Sequence, residues 1–245
     1  MGAICGHLVE GMPLVKEGDD IVSMIVERVS LQDDDVVCIA STVVSKAEGR
    51  SRSLEDYEPS PWSRKVAKRL GKDSRFVQAV TEESEEILID SPFLLTVTRF
   101  GHIGVNAGID NSNVDGDRIL LLPHDPKASA ERIRAELGKE CAVIITDTCG
   151  RPFRCGVSGV AIGWAGIGAL RDWRGELDLE GQELEITQEA IVDEIAAMAN
   201  FLMGEGGDGT PVVVFRGLRY SRTGGTLFRP EKMDVIRSHL KHILP

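Results

Sequence analysis

Three carboxylate side chains stand directly after apolar segments of the sequence: Asp110, Asp147 and Glu205. The ends of strands and helices are where α/β enzymes place working groups, because rigid elements fix the geometry there. Carboxylates brought together in space offer hard oxygen ligands suited to Mg²⁺ or Mn²⁺, which usually share their coordination with substrate phosphates. The pattern indicates a divalent-metal site. The alternative is that each carboxylate only caps a turn.

The segment from Met203 to Thr210 combines four glycines with two acids, Glu205 and Asp208. Glycines let backbone N–H groups approach an anion closely, whereas the two acids would repel a bare phosphate. Metal ions between acid and phosphate resolve this conflict. We interpret the segment as an anion-binding loop that works with metal ions, with a flexible surface turn as the alternative.

Cationic side chains follow several of the predicted strands. Lys46 comes after a buried strand and could reach phosphate oxygens as a point charge. Arg151 and Arg154 follow Asp147 and could pair with it or bind a substrate carboxylate. A further possible anion site, after the last predicted strand, consists of Arg216, Arg219 and Arg222. The alternatives are a solvated lysine and ordinary surface salt bridges.

Several common kinds of catalytic and binding site are unsupported because the sequence lacks their motifs. The sequence contains no GxxxxGK[ST] and no strand-linked GxGxxG, which argues against a P-loop and a Rossmann site. It has no GxSxG, and Cys149 has no evident His partner, so a nucleophilic hydrolase is unsupported. The five cysteines include no CxxC pair, which indicates reduced cytosolic thiols rather than a zinc site or a disulfide framework.

Helical and strand-like segments alternate along the chain and predict mixed α and β structure. Ser41 and Thr42 are expected in a polar turn, and the Gly159–Gly163 spacing is expected to allow tight packing in a soluble core. The predicted helices are 19–29, 60–71, 74–88, 128–137 and 189–203. The predicted strands are 35–40, 93–98, 102–107, 119–122, 142–145 and 211–215.

Length, charge and hydrophobicity indicate the number of domains and the kinds of binding partner that the protein can have. The 245 residues fit one large domain or two small intertwined ones. A formal charge of −11 would repel phosphodiester backbones, so nucleic-acid binding is not expected. We see neither a signal peptide nor an apolar run long enough for a membrane span, and expect a cytoplasmic enzyme without membrane contact.

Six strings of the sequence, in the right order and over nearly the whole chain, resemble the archaeal coenzyme F420-0:L-glutamate ligases. They are GMPLVKEGDD at 11–20, STVVSKAEGR at 41–50, VNAGIDNSNV at 105–114, ITDT at 145–148, RDW at 171–173 and MGEGGDGT at 203–210. The resemblance implies an unusual α+β fold that forms an intertwined homodimer. We expect a single ligase unit over residues 1–245, without the C-terminal nitroreductase-like domain of many bacterial relatives.

The resemblance also implies an activity: GTP-dependent addition of L-glutamate to coenzyme F420-0, then of a γ-linked second glutamate, in coenzyme F420 biosynthesis. The by-products are GDP and phosphate, and an acyl phosphate is the economical intermediate. By family analogy, two divalent ions (Mg²⁺ or Mn²⁺) would be held by Asp110, Asp147, Thr148 and Glu205. K⁺ is a further candidate, as a monovalent cation, that the resemblance suggests. The GTP site would comprise Met12, Pro13, Leu14, Val15, Ser41, Thr42, Lys46, Asn113, Met203, Gly204, Glu205, Gly206, Gly207, Asp208, Gly209 and Thr210.

One position departs from the family pattern. Cys149 stands where relatives tend to have Asn or an aromatic residue, which affects local substrate contacts rather than the metal ligands. Two alternative functions stay open at this point: a non-catalytic nucleotide- or metal-binding module, and a GTP-dependent kinase or hydrolase that stops at phosphoryl transfer.

Overall fold

A computed structural model, which describes residues 3–110 and 117–243, contains seven α-helices and twelve strands in these ranges. This confirms the predicted mixture of α and β structure. The described residues include no helix with both the length and the apolarity of a membrane span. The helices are α1 (Ile21–Val26), α2 (Ser41–Ala47), α3 (Pro61–Leu70), α4 (Ser74–Glu83), α5 (Pro126–Leu137), α6 (Ile191–Met203) and α7 (Val235–Ile243). The strands are β1 (Cys5–Leu8), β2 (Val36–Ala40), β3 (Ser51–Ser53), β4 (Ser84–Ile89), β5 (Leu95–Thr98), β6 (Ile103–Val105), β7 (Arg118–Leu120), β8 (Ala142–Gly150), β9 (Val157–Ala165), β10 (Arg171–Asp172), β11 (Gln188–Glu189) and β12 (Val212–Arg216).

The largest sheet has the strand order β1-β12-β2-β8-β9. Strands β2 and β8 run parallel, with Ala40 opposite Thr146, and the other neighbours are antiparallel. The carboxyl ends of β2 and β8 therefore meet at the same edge of the sheet. Whatever follows Ala40 and Thr146 in the sequence is brought together there.

Helices cover both faces of this sheet. Because side chains alternate along a strand, Val37 and Ile39 of β2 face one core, where they join Ile25 of α1 and Ile133 of α5. The neighbouring residues of the same strand face a second core that is covered by Ile195 of α6. Burial on both faces explains why the central strands are apolar throughout.

Two glycines of β9 let these helices approach closely. A Cβ at Gly159 would lie 2.4 Å from the carbonyl oxygen of Ala196 in α6, and one at Gly163 would lie 2.3 Å from that of Pro126 in α5. Real Cβ atoms essentially never come so near, so only glycine fits there. The prediction of tight packing at this pair is confirmed.

A smaller part of the molecule packs beside the main sheet and carries Asp110. Here β4, β5 and β6 form an antiparallel sheet, and β3 pairs with β7. Helices α3 and α4 contribute Val66, Val77 and Val80 to a separate core that also contains Leu94. Within this part, a 3-10 turn at Asn106–Gly108 stands two residues before Asp110.

Several helix ends follow the sequence signals. Asp20 caps α1 by accepting a hydrogen bond from the backbone N–H of Ser23 (2.9 Å). Ser60 caps α3 with Pro61 in its first turn, and Gly71 ends it in the left-handed conformation with φ 66°. These predicted boundaries are confirmed because capping depends on neighbouring residues only.

Two local predictions are wrong. The helix predicted over 74–88 ends at Glu83, where the chain turns into β4 and buries Leu88. The expected polar turn at Ser41 and Thr42 is the first turn of α2. That helix buries Val44 completely against the main sheet. In both places tertiary packing outweighs the local preference of the residues.

Candidate active site

The parallel edge of the main sheet brings Ser41 and Asp147 into contact. Ser41 follows the last residue of β2, and Asp147 follows Thr146 in β8. The Ser41 hydroxyl donates a hydrogen bond to Asp147 Oδ1 at 3.1 Å, although 106 positions separate the two residues. The register of two strands thus orients the carboxylate.

The glycine-rich segment after α6 brings a second carboxylate to the same place. Glu205 Oε1 accepts hydrogen bonds from the Asn200 amide at 2.6 Å and from the Thr148 hydroxyl at 3.0 Å. Asn200 lies on α6 and Thr148 on β8, so two rigid elements hold the loop acid. Sequence reasoning missed Asn200. Its only signal is its position one helical turn before the glycine-rich segment.

The negative charges at this edge are close enough to affect one another. Burial raises the pKa of Asp147 from 3.8 to about 6, and the charges of Asp110 and Glu205 act in the same direction. Hydrogen bonds from Ser41 and from the backbone of Thr148 oppose the shift. Among the described residues, no Lys or Arg forms an ion pair with Asp147. The edge is therefore an anionic site that a cation would relieve.

Two cavities adjoin these carboxylates. We call the first, of about 300 Å³, the glycine-loop cavity, because Met12–Val15, Lys46 and the segment after α6 line it. The second, of about 350 Å³, is the Asn106 cavity, lined also by Ser45 and Leu120–Leu122. Both share one wall, which consists of Ser41, Thr42, Asp110, Asp147, Thr148 and Glu205.

The glycine-loop cavity gathers most of the residues expected at the nucleotide site. Gly207 and Asp208 do not line it, and Asn113 lies outside the described residues. All four expected metal ligands lie in the shared wall. The expected nucleotide-site residues that line this cavity are Met12, Pro13, Leu14, Val15, Ser41, Thr42, Lys46, Met203, Gly204, Glu205, Gly206, Gly209 and Thr210.

Comparisons with known proteins show to which family the chain belongs. Residues 11–217 match the model of a family described as F420-0:Gamma-glutamyl ligase. The chain belongs to this family. It is 55% identical over 241 residues to the coenzyme F420:L-glutamate ligase of Natronomonas pharaonis, covering 95% of this chain and 94% of the relative. Proteins of the same name are 54% identical in Archaeoglobus fulgidus (96% and 97% covered) and 49% identical in Methanosarcina mazei (95% of each).

All residues of the shared wall lie within the segment that matches the family. The wall offers carboxylate and hydroxyl oxygens, the donors that Mg²⁺ and Mn²⁺ prefer. Among the described residues, no three His, Cys, Asp or Glu side chains are already gathered closely enough to form a metal site. The oxygen chemistry and the mutual repulsion of the carboxylates nevertheless fit a divalent cation.

The arginines divide into structural and unpaired ones. Arg216 forms an ion pair with the buried Asp35, and Arg222 bonds to Asp34 and Glu140, so these two are structural rather than an anion site. Arg151 and Arg154, in contrast, are exposed. In residues 3–110 and 117–243 neither side chain forms an ion pair, with Asp147 or otherwise.

Cys149 lies beside the shared wall without being an activated nucleophile. Burial raises the pKa of its thiol, and the charges of Asp147 and Asp193 add to the effect. The thiol donates a hydrogen bond to the carbonyl oxygen of Gly150 at 3.3 Å. A protonated thiol is a poor nucleophile, so Cys149 is a neighbour of the site rather than a reacting group.

Proposed function

We propose that this protein ligates L-glutamate to coenzyme F420-0 with GTP as the energy source. The observation that carries the proposal is the shared wall, where carboxylates from three separate segments of the chain line two cavities. Such a wall suits a reaction in which a phosphate-bearing substrate and an amine approach from different sides. The names of the family and of the relatives supply the substrates.

The reaction needs two steps, because a carboxylate does not condense with an amine in water. In the first, a carboxylate oxygen of F420-0 attacks the γ-phosphorus of GTP, the bond to the β-phosphate oxygen breaks, and GDP leaves. In the second, the glutamate nitrogen attacks the acyl carbon and the carbon–oxygen bond to phosphate breaks. Phosphate leaves, a proton is lost and an amide remains. Catalysis consists mainly of positioning and charge neutralisation.

Different residues of the glycine-loop cavity would position the substrates and neutralise their charge. Gly206 and Gly209 line it, and a Cβ added at either would have no atom within 4 Å beyond its chain neighbours, so phosphate oxygens can approach the backbone there. Lys46 supplies a positive charge in the same cavity. Ser41, Thr148 and Asn200 orient Asp147 and Glu205. Two divalent ions, Mg²⁺ or Mn²⁺, would be held by Asp110, Asp147, Thr148 and Glu205 and would offset the charge of the phosphates.

Some parts of the proposal rest on the resemblance of the motifs alone. These are the choice of GTP over another nucleotide, the addition of a γ-linked second glutamate, and K⁺ as a monovalent cation. Nucleotide exchange and mass spectrometry of the products test the first two directly.

A homodimer is part of the same proposal. Several large apolar side chains are almost fully exposed in the segment between β8 and the end of α6: Phe153, Leu179, Ile186 and Phe201. Exposed apolar surface of this kind is typical of protein–protein contacts. Sedimentation equilibrium should give twice the chain mass, and Phe201→Ser should shift the protein toward the monomer.

The decisive experiment measures phosphate release from GTP with Mn²⁺ or Mg²⁺, omitting F420-0 or L-glutamate in turn. We expect release only when both are present, with a product heavier by one or two glutamyl units. The same reaction with ATP in place of GTP tests which nucleotide the protein uses. The variant Asp178→Asn, in the exposed β10–β11 hairpin, serves as the control and should keep full activity.

The same experiment separates the alternatives. Release that does not depend on glutamate would favour a kinase or hydrolase. Nucleotide binding without any release would favour a non-catalytic module. Either result would overturn the ligase proposal.

A further inference from the structure

We propose that Arg50 is a positioning residue for the metal site: its guanidinium holds the segment 119–122 in place and thereby sets how Asp110 faces Asp147. The inference rests on the proposed function, in which both carboxylates hold divalent ions, and it adds a residue that is not itself a proposed ligand. Arg50 is the last residue of the string 41–50. Neither the motifs nor the family description gives it a role.

The two carboxylates belong to different parts of the molecule. Asp147 lies in β8 of the main sheet, whereas Asp110 lies in the smaller part, where it pairs with Leu120. The backbone N–H of Asp110 donates to the carbonyl oxygen of Leu120 at 3.0 Å, and the N–H of Leu120 donates to that of Asp110 at 2.8 Å. The place of Asp110 relative to Asp147 therefore depends on what fixes Leu120 and its neighbours to the main sheet.

The segment 119–122 joins the two parts of the molecule. Ile119 and Leu121 are buried in the core of the smaller part, whereas Leu122 is buried in a core of the main sheet. Leu122 also contacts the turn before Asp110, since a Cβ at Gly108 would lie 2.4 Å from its Cδ1. Apolar burial is non-directional, so hydrogen bonds are needed to fix the exact position of the segment.

Arg50 supplies directional contacts to this segment. Its Nε donates to the carbonyl oxygen of Leu122 at 2.9 Å, and its own carbonyl accepts from the N–H of Leu121 at 3.2 Å. Its Nη2 forms an ion pair at 2.7 Å with Glu83, the last residue of α4. The two paired side chains are 13% and 25% exposed, so salt screens them little. The planar guanidinium can hold both acceptors in one fixed geometry.

Helix α2 connects Arg50 to the other carboxylate. Ser41, its first residue, donates a hydrogen bond to Asp147. The backbone N–H of Arg50, three residues beyond the end of the helix, donates to the carbonyl oxygen of Ser45 at 2.8 Å. Val44 anchors the helix in the core of the main sheet. One short helix thus contacts one carboxylate at its start and, through Arg50, the segment that carries the other.

The coordination of the ion explains why this attachment matters. Mg²⁺ requires near-ideal octahedral geometry with oxygens at about 2.0 to 2.1 Å. Its ligands therefore have to be held within about 0.5 Å of their places. Asp110 and Asp147 both line the glycine-loop cavity, and without an ion their like charges repel each other. A firm attachment of Asp110 through the segment 119–122 keeps the two carboxylates in place for the ion.

The first test measures the Kd for Mn²⁺, by its paramagnetic signal, in the wild type and in Arg50→Met. Methionine keeps an apolar stem but has no donor. We expect the Kd to rise about 10- to 100-fold, as is usual when a group behind a metal ligand is lost. Arg50→Lys keeps the charge beside Glu83 without the planar fork, so it is the milder variant and should show a smaller rise. An unchanged Kd in both variants would overturn the inference.

Arg237→Met is the matched control. Arg237 forms an ion pair with Glu86 that is buried to the same degree, with side chains 14% and 24% exposed. The pair attaches α7 to β4, and neither residue is among the described residues that line the two cavities. This variant should lose stability, but its Kd for Mn²⁺ should stay within about twofold of the wild type. Equal rises of the Kd in Arg237→Met and Arg50→Met would mean that Arg50 acts only through overall stability, which would overturn the positioning role.

A double-mutant cycle shows whether Arg50 acts through Asp110. In protein that carries Asp110→Asn, the further change Arg50→Met should raise the Kd for Mn²⁺ by less than about twofold, because the ligand that Arg50 positions is already lost. Independent sites would instead multiply their effects. Multiplied effects would contradict the route through Asp110.

Amide hydrogen exchange in the metal-free protein gives a readout that needs neither metal nor activity. The amides of Asp110 and Leu120 should exchange at least about 10-fold faster in Arg50→Met, whereas those of β2 and β8 should keep their wild-type rates. Unchanged protection of Asp110 and Leu120 would overturn the inference. Phosphate release by the wild type tests the ligase separately: a wild type that binds Mn²⁺ but ligates no glutamate would overturn the proposed function and leave the role of Arg50 at the metal site.

Discussion

Asp35 and Asp147 lie at opposite ends of the parallel strands β2 and β8, and their surroundings differ. Asp35 is 1% exposed, and Arg216 binds both of its oxygens, at 2.7 and 2.8 Å. Burial alone would raise the pKa of Asp35, but the hydrogen bonds from Arg216 and from the backbone of Gln32 hold it below its usual value. Asp147 faces Asp110 and Glu205 instead, and its pKa is raised to about 6.

One sheet thus carries a carboxylate that stabilises the fold at one end and a carboxylate suited to function at the other. Where a buried carboxylate meets an arginine, its ionised form stabilises the fold. Where it meets other carboxylates, its ionised form destabilises the fold until a cation arrives. Unfavourable electrostatics of this kind are typical of working sites.

The largest effect is expected from Asp147→Asn. Loss of this carboxylate should reduce ligation at least about 10³-fold, because a proposed metal ligand in the shared wall is removed. In the absence of divalent ions the variant should unfold at a higher temperature than the wild type, because the unfavourable charge is gone. Steady-state kinetics and thermal unfolding in EDTA check the two parts. Asp110→Asn should lose ligation activity to a similar extent. Near-normal turnover of either variant with Mg²⁺ or Mn²⁺ would contradict the proposed ligand set.

At the opposite end, Asp35→Asn should reverse this pattern. Removing one partner of a buried ion pair leaves Arg216 uncompensated and should lower the free energy of unfolding by about 3 kcal/mol. The specific activity of the folded fraction should stay close to that of the wild type. Urea unfolding together with activity assays measures both. A large loss of activity at unchanged stability would show that the two ends are not independent.

The pH dependence of stability should differ in sign between the two carboxylates. For Asp147 the stabilising contribution is complete below pH 3.8, is lost as the pH rises to about 6, and stays lost above that. The gap in unfolding free energy between Asp147→Asn and the wild type, without metal, should therefore widen over this window by about 1 to 3 kcal/mol.

For Asp35 the contribution is present at neutral pH and is lost as the pH falls, because the folded state lowers its pKa. Unfolding curves at several pH values with EDTA test both statements. Above pH 6, added Mn²⁺ should stabilise the wild type and so remove the difference in unfolding free energy between it and Asp147→Asn. A gap that does not vary with pH would contradict the assigned environment of Asp147.

The smallest effect is expected from Asn200→Ala. The substitution removes the amide that holds Glu205 at 2.6 Å while keeping α6 intact, since Ala is a good helix former. Metal affinity or turnover should fall about 10- to 100-fold, as is usual when the group that orients a metal ligand is lost. Titration with Mn²⁺, followed by its paramagnetic signal, measures the affinity. Glu194→Ala, at an exposed position of the same helix, is the control and should change neither value.

The sequence by itself identified the family and much of the local structure. The glycine-rich segment 203–210, the carboxylates Asp110, Asp147 and Glu205, and the caps of α1 and α3 depend on residue types close together in the chain. The extent of the family match was also visible in its motifs. These features need no knowledge of distant contacts.

Only the tertiary structure decided which of these residues meet. Ser41 reaches Asp147 across 106 positions and Thr148 reaches Glu205 across 57, and both contacts depend on strand register and on the docking of α6. The contact of Asn200 with Glu205, the helical start at Ser41 and the turn into β4 likewise follow from packing. The physical reason is that propensity and capping act over a few residues, whereas burial and electrostatics act between whichever groups the fold brings together.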